Sequence, residues 1–377
     1  MRDETMHKVL VGRRTSREGF TLVELLVVIA ILGILAGLLA WGVNAARISI
    51  LKQAQAFEIQ SIASAVEAYR NKYGDYPPDG SSWPVMEAHL RKAFPNILTS
   101  ELLLLNPAYS FQNSAIRNDN DLTGTHPHLP LYTPTNSGLR SGRVFDPAEA
   151  LVFFLGGFSN DPQRPITGPG GPLRQSGSGY IYNTQRENAF FEFKLSRLTL
   201  GANGVSTDER LFGEGLPDND LMPVYIGTGP AVSVGRPIVY FDNRTYQFSV
   251  TGLPYFNFYV PGNVSDSTNC ARPFLSTDIN PNRPGTLLYA NNKTYQLMNA
   301  GYDNFYGCRA PKDLGAGLVL FQVPGGNGCA FDRNAGGFVP PSVQSAIRFY
   351  LPEFGRERPV DDNTSNFIDG PTFGQSS

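Results

Sequence analysis

A chain of 377 residues with 41% apolar and 17% charged residues is long enough for one large domain or two ordinary ones. A formal net charge of −2 offers no bulk attraction for nucleic acid, so that class of partner is not expected. The 39 glycines and 29 prolines predict many turns and long loops, and 12% aromatic residues suit a β-rich exported body better than a helical bundle.

The first 19 residues carry five basic groups (Arg2, Lys8, Arg13, Arg14, Arg17) against three acids (Asp3, Glu4, Glu18), leaving −4 on the remainder. A basic leader before an apolar run places that end in the cytoplasm and the rest outside. The apolar run, Phe20 to Val43, has 24 residues, about 36 Å of helix at 1.5 Å per residue and enough to cross a bilayer. A cleaved secretory signal has a shorter apolar core followed by a small-residue cleavage site. Here the pattern continues without a break. Ile48, Leu51, Gln55, Ile59, Ile62, Val66, Tyr69 and Tyr73 follow helical spacing, with Lys52, Glu58, Glu67 and Arg70 on the opposite face. No proline interrupts Phe20–Tyr73, and Gly74 with Pro77-Pro78 supplies the stop. The expectation is one helix of about fifty residues, roughly 80 Å long. Its first half is apolar all round, and its second half has one stripe to pack on a body.

Arg17-Glu-Gly-Phe-Thr-Leu-Val-Glu24 followed by an unbroken apolar helix resembles the class III signal of type IV pilins and type II secretion pseudopilins. The resemblance implies cleavage by a prepilin peptidase between Gly19 and Phe20, N-methylation of Phe20, and retention of the helix in the mature subunit. Ala68-Tyr-Arg-Asn-Lys-Tyr-Gly-Asp-Tyr-Pro77 is similar to the helix end of bacterial pseudopilins. Charge arithmetic agrees with this. A carboxylate in hydrocarbon is costly, and the amine freed on Phe20 lies one helical turn from Glu24. In a bundle of staggered helices Glu24 of one subunit can neutralise the Phe20 amine of the next, which relieves a buried charge only in the assembled register. The competing reading is a carboxylate that snorkels to the headgroups.

The body beyond Pro78 opens irregularly, with an apolar cluster at Ile97–Leu105 between loop-like tracts such as Asn118–Asp121. Asp146 to Leu155 reads as a short helix with Asp146 as N-cap, Pro147 at its first position, Glu149 completing a capping box and Gly156-Gly157 ending it. Residues 159–179 read as an exposed Gly/Pro/Ser loop. Phe190–Leu200 reads as a strand with an alternating Phe191, Phe193, Leu195 face. Pro237–Phe248 and Leu287–Met298 read as hairpins turning at Asp242-Asn243 and Asn291-Asn292. Both share a Tyr-x-x-x-x-x-Tyr-Gln pattern, which fits an internal repeat and fits cross-strand aromatic preference equally well. The fold class expected is α+β: a long N-terminal helix packed on an antiparallel sheet with large loop insertions. The divisions are a leader at 1–19, a membrane or filament-core half-helix at 20–43, an amphipathic half-helix at 44–74, and an exported body at 75–377.

Three cysteines, Cys270, Cys308 and Cys329, lie in the exported part, where one disulfide plus one thiol is the natural arithmetic. Cys308 and Cys329 close the shortest loop, and three unrelated buried thiols are an equal alternative. Asn243-Arg-Thr245 and Asn292-Lys-Thr294 match the glycosylation sequon, at the rate chance allows in such a loop-rich chain. Tyr295 to Gly307 resembles a sheet-to-loop stretch of the major, G-type pseudopilins, and Asp361-Asp-Asn-Thr-Ser-Asn-Phe367 resembles the run that ends their domain, with one extra residue before the Asn. That resemblance implies a structural calcium ion on Asp303, Asp361 and Asp362, oxygen ligands of the kind calcium takes. Unlike the family's short loop, 57 residues separate Asp303 from Asp361 here, so an insertion carrying Cys308 and Cys329 is expected between them.

Enzymatic patterns are thin. The histidines are His7, His89, His126 and His128, and His126-Pro-His128 lacks the further Cys/His ligands of a metal set. No nucleophile elbow, Walker A loop or HExxH helix is present, so catalysis is not expected and no cofactor is required beyond the calcium candidate. What the resemblance implies is a structural subunit of a type II secretion pseudopilus, processed in the inner membrane with its N-terminus cytoplasmic and its body periplasmic. Its partners would be itself, other pseudopilins, the prepilin peptidase and the inner-membrane assembly platform. The rival readings are a type IV pilin of a surface pilus, serving adhesion, motility or DNA uptake, and a membrane-anchored periplasmic binding or hydrolytic protein, which would need neither Glu24 nor the cytoplasmic cut.

Overall fold

A computed structural model of the chain describes residues 20–106, 144–177, 179–201, 206–207, 222–229, 235–250, 253–259, 271–279, 287–301, 304, 306, 318–323, 327–332, 337–338 and 364–366. The chain divides into two compact units, Met1–Ser49 and Ile50–Ser377. Helix α1 runs Leu22–Tyr73, 52 residues with no proline, as its sequence requires. In the first unit its side chains from Leu22 to Leu39 are exposed, and this stretch is long and apolar enough to cross a membrane.

In the second unit α1 buries the stripe that its spacing predicts. Gln55, Ile59, Ile62, Ala65, Val66 and Tyr69 are buried and Tyr73 half-buried. Gly74 ends the helix at φ 76°, a conformation that favours glycine, and its N–H still bonds Arg70 O at 2.7 Å. The stripe meets a three-stranded antiparallel sheet in the order β12–β8–β3, formed by Val239–Asp242 (β3), Tyr295–Asn299 (β8) and Thr364–Ser365 (β12). Strand alternation sorts the side chains of β3 and β8 onto two faces. Tyr240, Tyr295 and Leu297 join the helix-side core with Ile59, Ile62 and Val66. Val239, Phe241 and Met298 join a second core with Tyr246, Tyr259 and Phe274. Both faces of the sheet are therefore covered. Gln296 lies fully buried and satisfies itself on backbone, accepting from Phe274 N at 2.7 Å and donating to Phe274 O and Ala290 O.

The remaining strands are antiparallel pairs: Leu173–Ser176 (β1) with Gly179–Tyr182 (β2), Gln247–Val250 (β4) with Leu253–Phe256 (β5), and Leu275–Ile279 (β6) with Leu287–Tyr289 (β7). Leu318–Val323 (β9), Asn327–Asp332 (β10) and Gly337–Phe338 (β11) form a second three-stranded sheet inside the span between β8 and β12, where the sequence predicts an insertion.

Several local expectations change. Trp83–Ala93 (α2) and Thr99–Leu105 (α3) are helices where only an apolar cluster among loops was expected. α2 starts with Pro84 in its first turn and buries Met86, His89 and Leu90 at helical spacing. The capping box is confirmed. Asp146 accepts from the N–H groups of Ala148 and Glu149 at 2.7 and 2.8 Å, and Glu149 reaches back to the Asp146 N–H at 2.8 Å. The helix it opens, Glu149–Leu155 (α4), is buried along its whole length. Arg186 crowns its far end, donating to Val152 O at 2.7 Å and to the carbonyls of Phe153 and Gly157.

The 159–179 segment is not an exposed loop. Pro165, Ile166, Gly168 and Leu173 are buried, Glu101 of α3 accepts from the Ile166 and Thr167 N–H groups at 2.8 and 2.9 Å, and its end forms β1. The expected strand at 190–200 gives way to a 3₁₀ turn at Leu195–Arg197 with bridges at Leu198 and Leu200, and Leu195 is exposed. Neither expected hairpin closes on itself. β3 pairs with β8, while β4 pairs with β5 and β7 with β6. At the first turn Asp242 accepts from the Arg244 N–H at 3.2 Å and opens a 3₁₀ turn, Asn243–Thr245, that carries the chain away. At the second, Asn291 takes φ 49°. The two Tyr-Gln patterns meet crosswise: Tyr240 faces Tyr295 with ring centres 5.6 Å apart, and Tyr246 faces Tyr289 at 5.0 Å. The four tyrosines thus pack as two ring pairs, which gives the shared pattern a role in packing.

Candidate functional site

The N-terminal turn of α1 holds the residues singled out for processing and assembly. Phe20 is exposed. Thr21 and Glu24 form a complete capping box, with Glu24 Oε2 accepting from Thr21 N at 2.9 Å and Thr21 Oγ1 at 2.8 Å, and Thr21 Oγ1 accepting from Glu24 N at 3.2 Å. Leu25 N–H bonds Thr21 O at 3.2 Å and closes the first turn. Neither snorkelling nor intersubunit pairing anticipates this arrangement, although Thr-x-x-Glu at a helix start is a sequence signal for it. Glu24 Oε1 accepts no hydrogen bond among the described residues. The carboxylate thus caps its own helix with one oxygen and has acceptor capacity left on the other.

Further along, α1 is fastened to the body by polar groups as well as by its stripe. Glu58, expected on the solvent face, accepts from the Tyr225 hydroxyl at 2.8 Å and the Thr228 N–H at 2.5 Å. Burial pushes the Tyr225 hydroxyl well up, with Glu58 adding to the shift, so it stays a proton donor. Gln55, the polar member of the stripe, donates to Thr228 O at 2.9 Å. Gly227 and Gly229 let this strip of backbone approach. A Cβ on Gly227 would stand 2.8 Å from Asn299 Nδ2, and one on Gly229 3.0 Å from Gln55 Nε2.

The helix end is locked by Asp79, which is buried and accepts five hydrogen bonds. Ser81 N and Ser81 Oγ reach Oδ1 at 3.1 and 2.5 Å. Asp242 N, Thr245 Oγ1 and Asn257 Nδ2 reach Oδ2 at 3.0, 2.6 and 2.8 Å. Beside it, burial pushes the Asp242 carboxyl up to about 7, against the opposing pull of Arg244 at 2.6 Å. Tyr69 and His89 share a buried hydrogen bond of 2.7 Å. Burial drives the His89 ring down to about 3 and keeps it neutral, so it is a core histidine.

Other sequence candidates fall elsewhere. Gly19, Asp303, Asp361, Asp362, Cys270, Cys308, His126 and His128 lie outside the described residues. Cys329 is on β10 opposite Phe321, and its side chain is outside them too. Among the described residues no three His, Cys, Asp or Glu side chains gather as a metal site. The two stretches that resemble the G-type sequences do meet in their described parts: Thr364 and Ser365 pair with Asn299 and Met298, and Asn366 Oδ1 accepts from Leu297 N at 2.7 Å.

Residues 14–40 match the prokaryotic N-terminal methylation motif. The chain therefore carries a type IV pilin-like prepilin signal, which indicates processing by a prepilin peptidase, membrane anchoring through the apolar helix, and assembly into a filament in general. No curated protein and no solved structure matches the chain.

Proposed function

We propose that the chain is a structural subunit of a type II secretion pseudopilus. In this reading a prepilin peptidase cuts between Gly19 and Phe20, the subunit waits in the inner membrane with its body periplasmic, and it is then drawn into a short filament. The observation that carries the reading is the match at residues 14–40 on a helix whose Leu22–Leu39 stretch is exposed and apolar. Such a surface is stable only in lipid or against other helices. The preference for secretion over a surface pilus rests on the two stretches whose sequences resemble G-type pseudopilins, which the pairing of β8 with β12 sets side by side. A calcium ion on Asp303, Asp361 and Asp362 belongs to the same proposal. Asp361 and Asp362 precede Thr364 in the chain, and Asp303 follows Asn299, the residue Thr364 pairs with.

In the filament Glu24 answers the methylated amine of a neighbouring Phe20, and the body decorates the outside. Mass spectrometry of the mature N-terminus tests the reading at its root. N-methyl-phenylalanine at position 20 is expected, and an intact Met1 or a cut beyond the apolar run would overturn it. Whether deletion abolishes protein export or surface piliation then separates the secretion filament from a surface pilus.

A further inference from the structure

Arg272 is among the largest fully buried side chains described, with 1% of its surface exposed. In the chain it lies between Ala271, which bridges to Tyr259, and strand β6, and its neighbours Ala271 and Phe274 belong to the second core. Its guanidinium carbon stands 5.3 Å from the centre of the Phe258 ring, and its charge acts on the Tyr289 hydroxyl. A guanidinium does not shed its proton in a protein, so burial cannot neutralise it. The ring face offsets part of the lost hydration. The rest calls for an anion, and no described carboxylate pairs with this side chain.

The unpartnered atoms say which anion. They are Nε and Nη2. Their N–H bonds lie side by side on one edge of the planar group and form the fork that receives two oxygens of a single carboxylate or phosphate. Three carbonyls of the neighbouring backbone are already engaged. Phe274 O accepts from Ala290 N and from Gln296 Nε2, both at 3.0 Å, and Ala271 O and Tyr259 O accept from each other's N–H at 2.9 and 2.8 Å. A monatomic anion would fill one point and leave half the fork unused.

We infer that the Nε–Nη2 edge of Arg272, whose guanidinium lies over Phe258, is a binding site for an oxyanion, a carboxylate or phosphate group that enters with two oxygens. The inference goes beyond the filament reading and does not depend on it. The source inferred is a free anion, and a carboxylate of this chain in its place is the alternative that the experiment would expose.

The full chain in detergent is unfolded with urea at constant ionic strength in chloride, acetate or phosphate, beside Arg272→Met and Arg272→Lys. A ligand that binds the folded state raises the midpoint with its concentration. Phosphate and acetate also stabilise proteins generally, so the readout is the excess shift of the unaltered protein over the variants. The expected result is an excess shift that grows with phosphate or acetate and is absent in Arg272→Met. Arg272→Lys, which keeps the charge without the fork, should lose most of it. In chloride Arg272→Met should be at least as stable as the unaltered protein. Equal shifts in all three proteins would overturn the inference of a free anion. So would a marked loss of stability of Arg272→Met in chloride, because the chain would then supply the counter-charge itself.

Discussion

Removing the Asp79 carboxylate tests whether the end of α1 is held to the sheet by hydrogen bonds or by apolar packing alone. In Asp79→Ala five donors lose their acceptor, but not equally. Thr245 Oγ1 already reaches Asp242 O at 3.1 Å, and Asn257 Nδ2 reaches Ser81 Oγ at 3.2 Å, so both have a second partner. The Ser81 hydroxyl can rotate. The N–H groups of Ser81 and Asp242 cannot, since backbone fixes their direction. Two buried orphaned N–H groups at about 1–3 kcal/mol each, plus a small packing loss, give a destabilisation of about 3–5 kcal/mol. Asp79→Asn keeps one carbonyl oxygen and should cost about 1–3 kcal/mol. Equilibrium urea unfolding of the full chain in detergent measures both, with Arg164→Ala at an exposed ion pair as a control expected to move the midpoint little. If Asp79→Ala fell within about 1 kcal/mol of the unaltered protein, the five bonds would contribute nothing net. The junction would then rest on Pro77, Tyr240 and Tyr295 packing.

Glu24→Gln separates helix capping by Glu24 from the proposed intersubunit pairing, because an amide oxygen can still accept from Thr21 while the charge is gone. Insertion and processing should stay normal in Glu24→Gln and filament incorporation should be lost; normal incorporation of Gln with loss in Glu24→Ala would show that capping, not charge, is what assembly requires. In the pH dependence of stability two buried groups oppose each other. The Asp242 pKa is raised to about 7 in the fold, so its contribution is lost as pH rises from about 4 to 7; the His89 pKa is lowered to about 3, so its contribution is lost as pH falls from 6.5. Each slope is about 1.4 kcal/mol per pH unit. Between about pH 4 and 6.5, Asp242→Asn should therefore gain stability as pH rises and His89→Gln should lose it, and parallel stability curves for all three proteins would refute the assignment. Millimolar calcium should raise the thermal midpoint, and Asp361→Asn with Asp362→Asn should abolish the rise; an absence of any rise would remove the calcium proposal.

What could be read from the sequence was what depends on local pattern. Helix α1 was legible because apolar spacing, the lack of proline and the Gly74 stop all act within a few residues of one another. The Asp146–Glu149 box was legible for the same reason. The strand pairings were not. A Tyr-rich run around Asp242-Asn243 looks like a hairpin locally, but β3 finds β8 some fifty residues away because the helix stripe needs Tyr240 and Tyr295 side by side. Burial of polar groups was equally hidden. Apart from Ser81, two residues from Asp79, nothing near Glu58 or Asp79 in the chain announces their partners, which come from Tyr225 and Thr228 in one case and Asp242, Thr245 and Asn257 in the other. Helix α2 had a readable signal in Pro84 and the Met86–Leu90 spacing, obscured by its brevity.

The Thr21–Glu24 box alters how the membrane cost of Glu24 is to be reckoned. A bare carboxylate in an apolar span would have to be rescued by a neighbour before insertion became tolerable. Here Oε2 already has two donors from its own turn, and the helix N-terminus favours negative charge. The single subunit can therefore wait in the membrane without a partner. The oxygen left over, Oε1, has no donor among the described residues. Under the proposed function it is the one available to the cationic amine of an adjacent subunit. Assembly is then a gain over a stable resting state rather than an escape from an unstable one. A reservoir of membrane-held subunits needs that difference, because the pairing must be favourable enough to set register while each unpaired subunit persists until it is used.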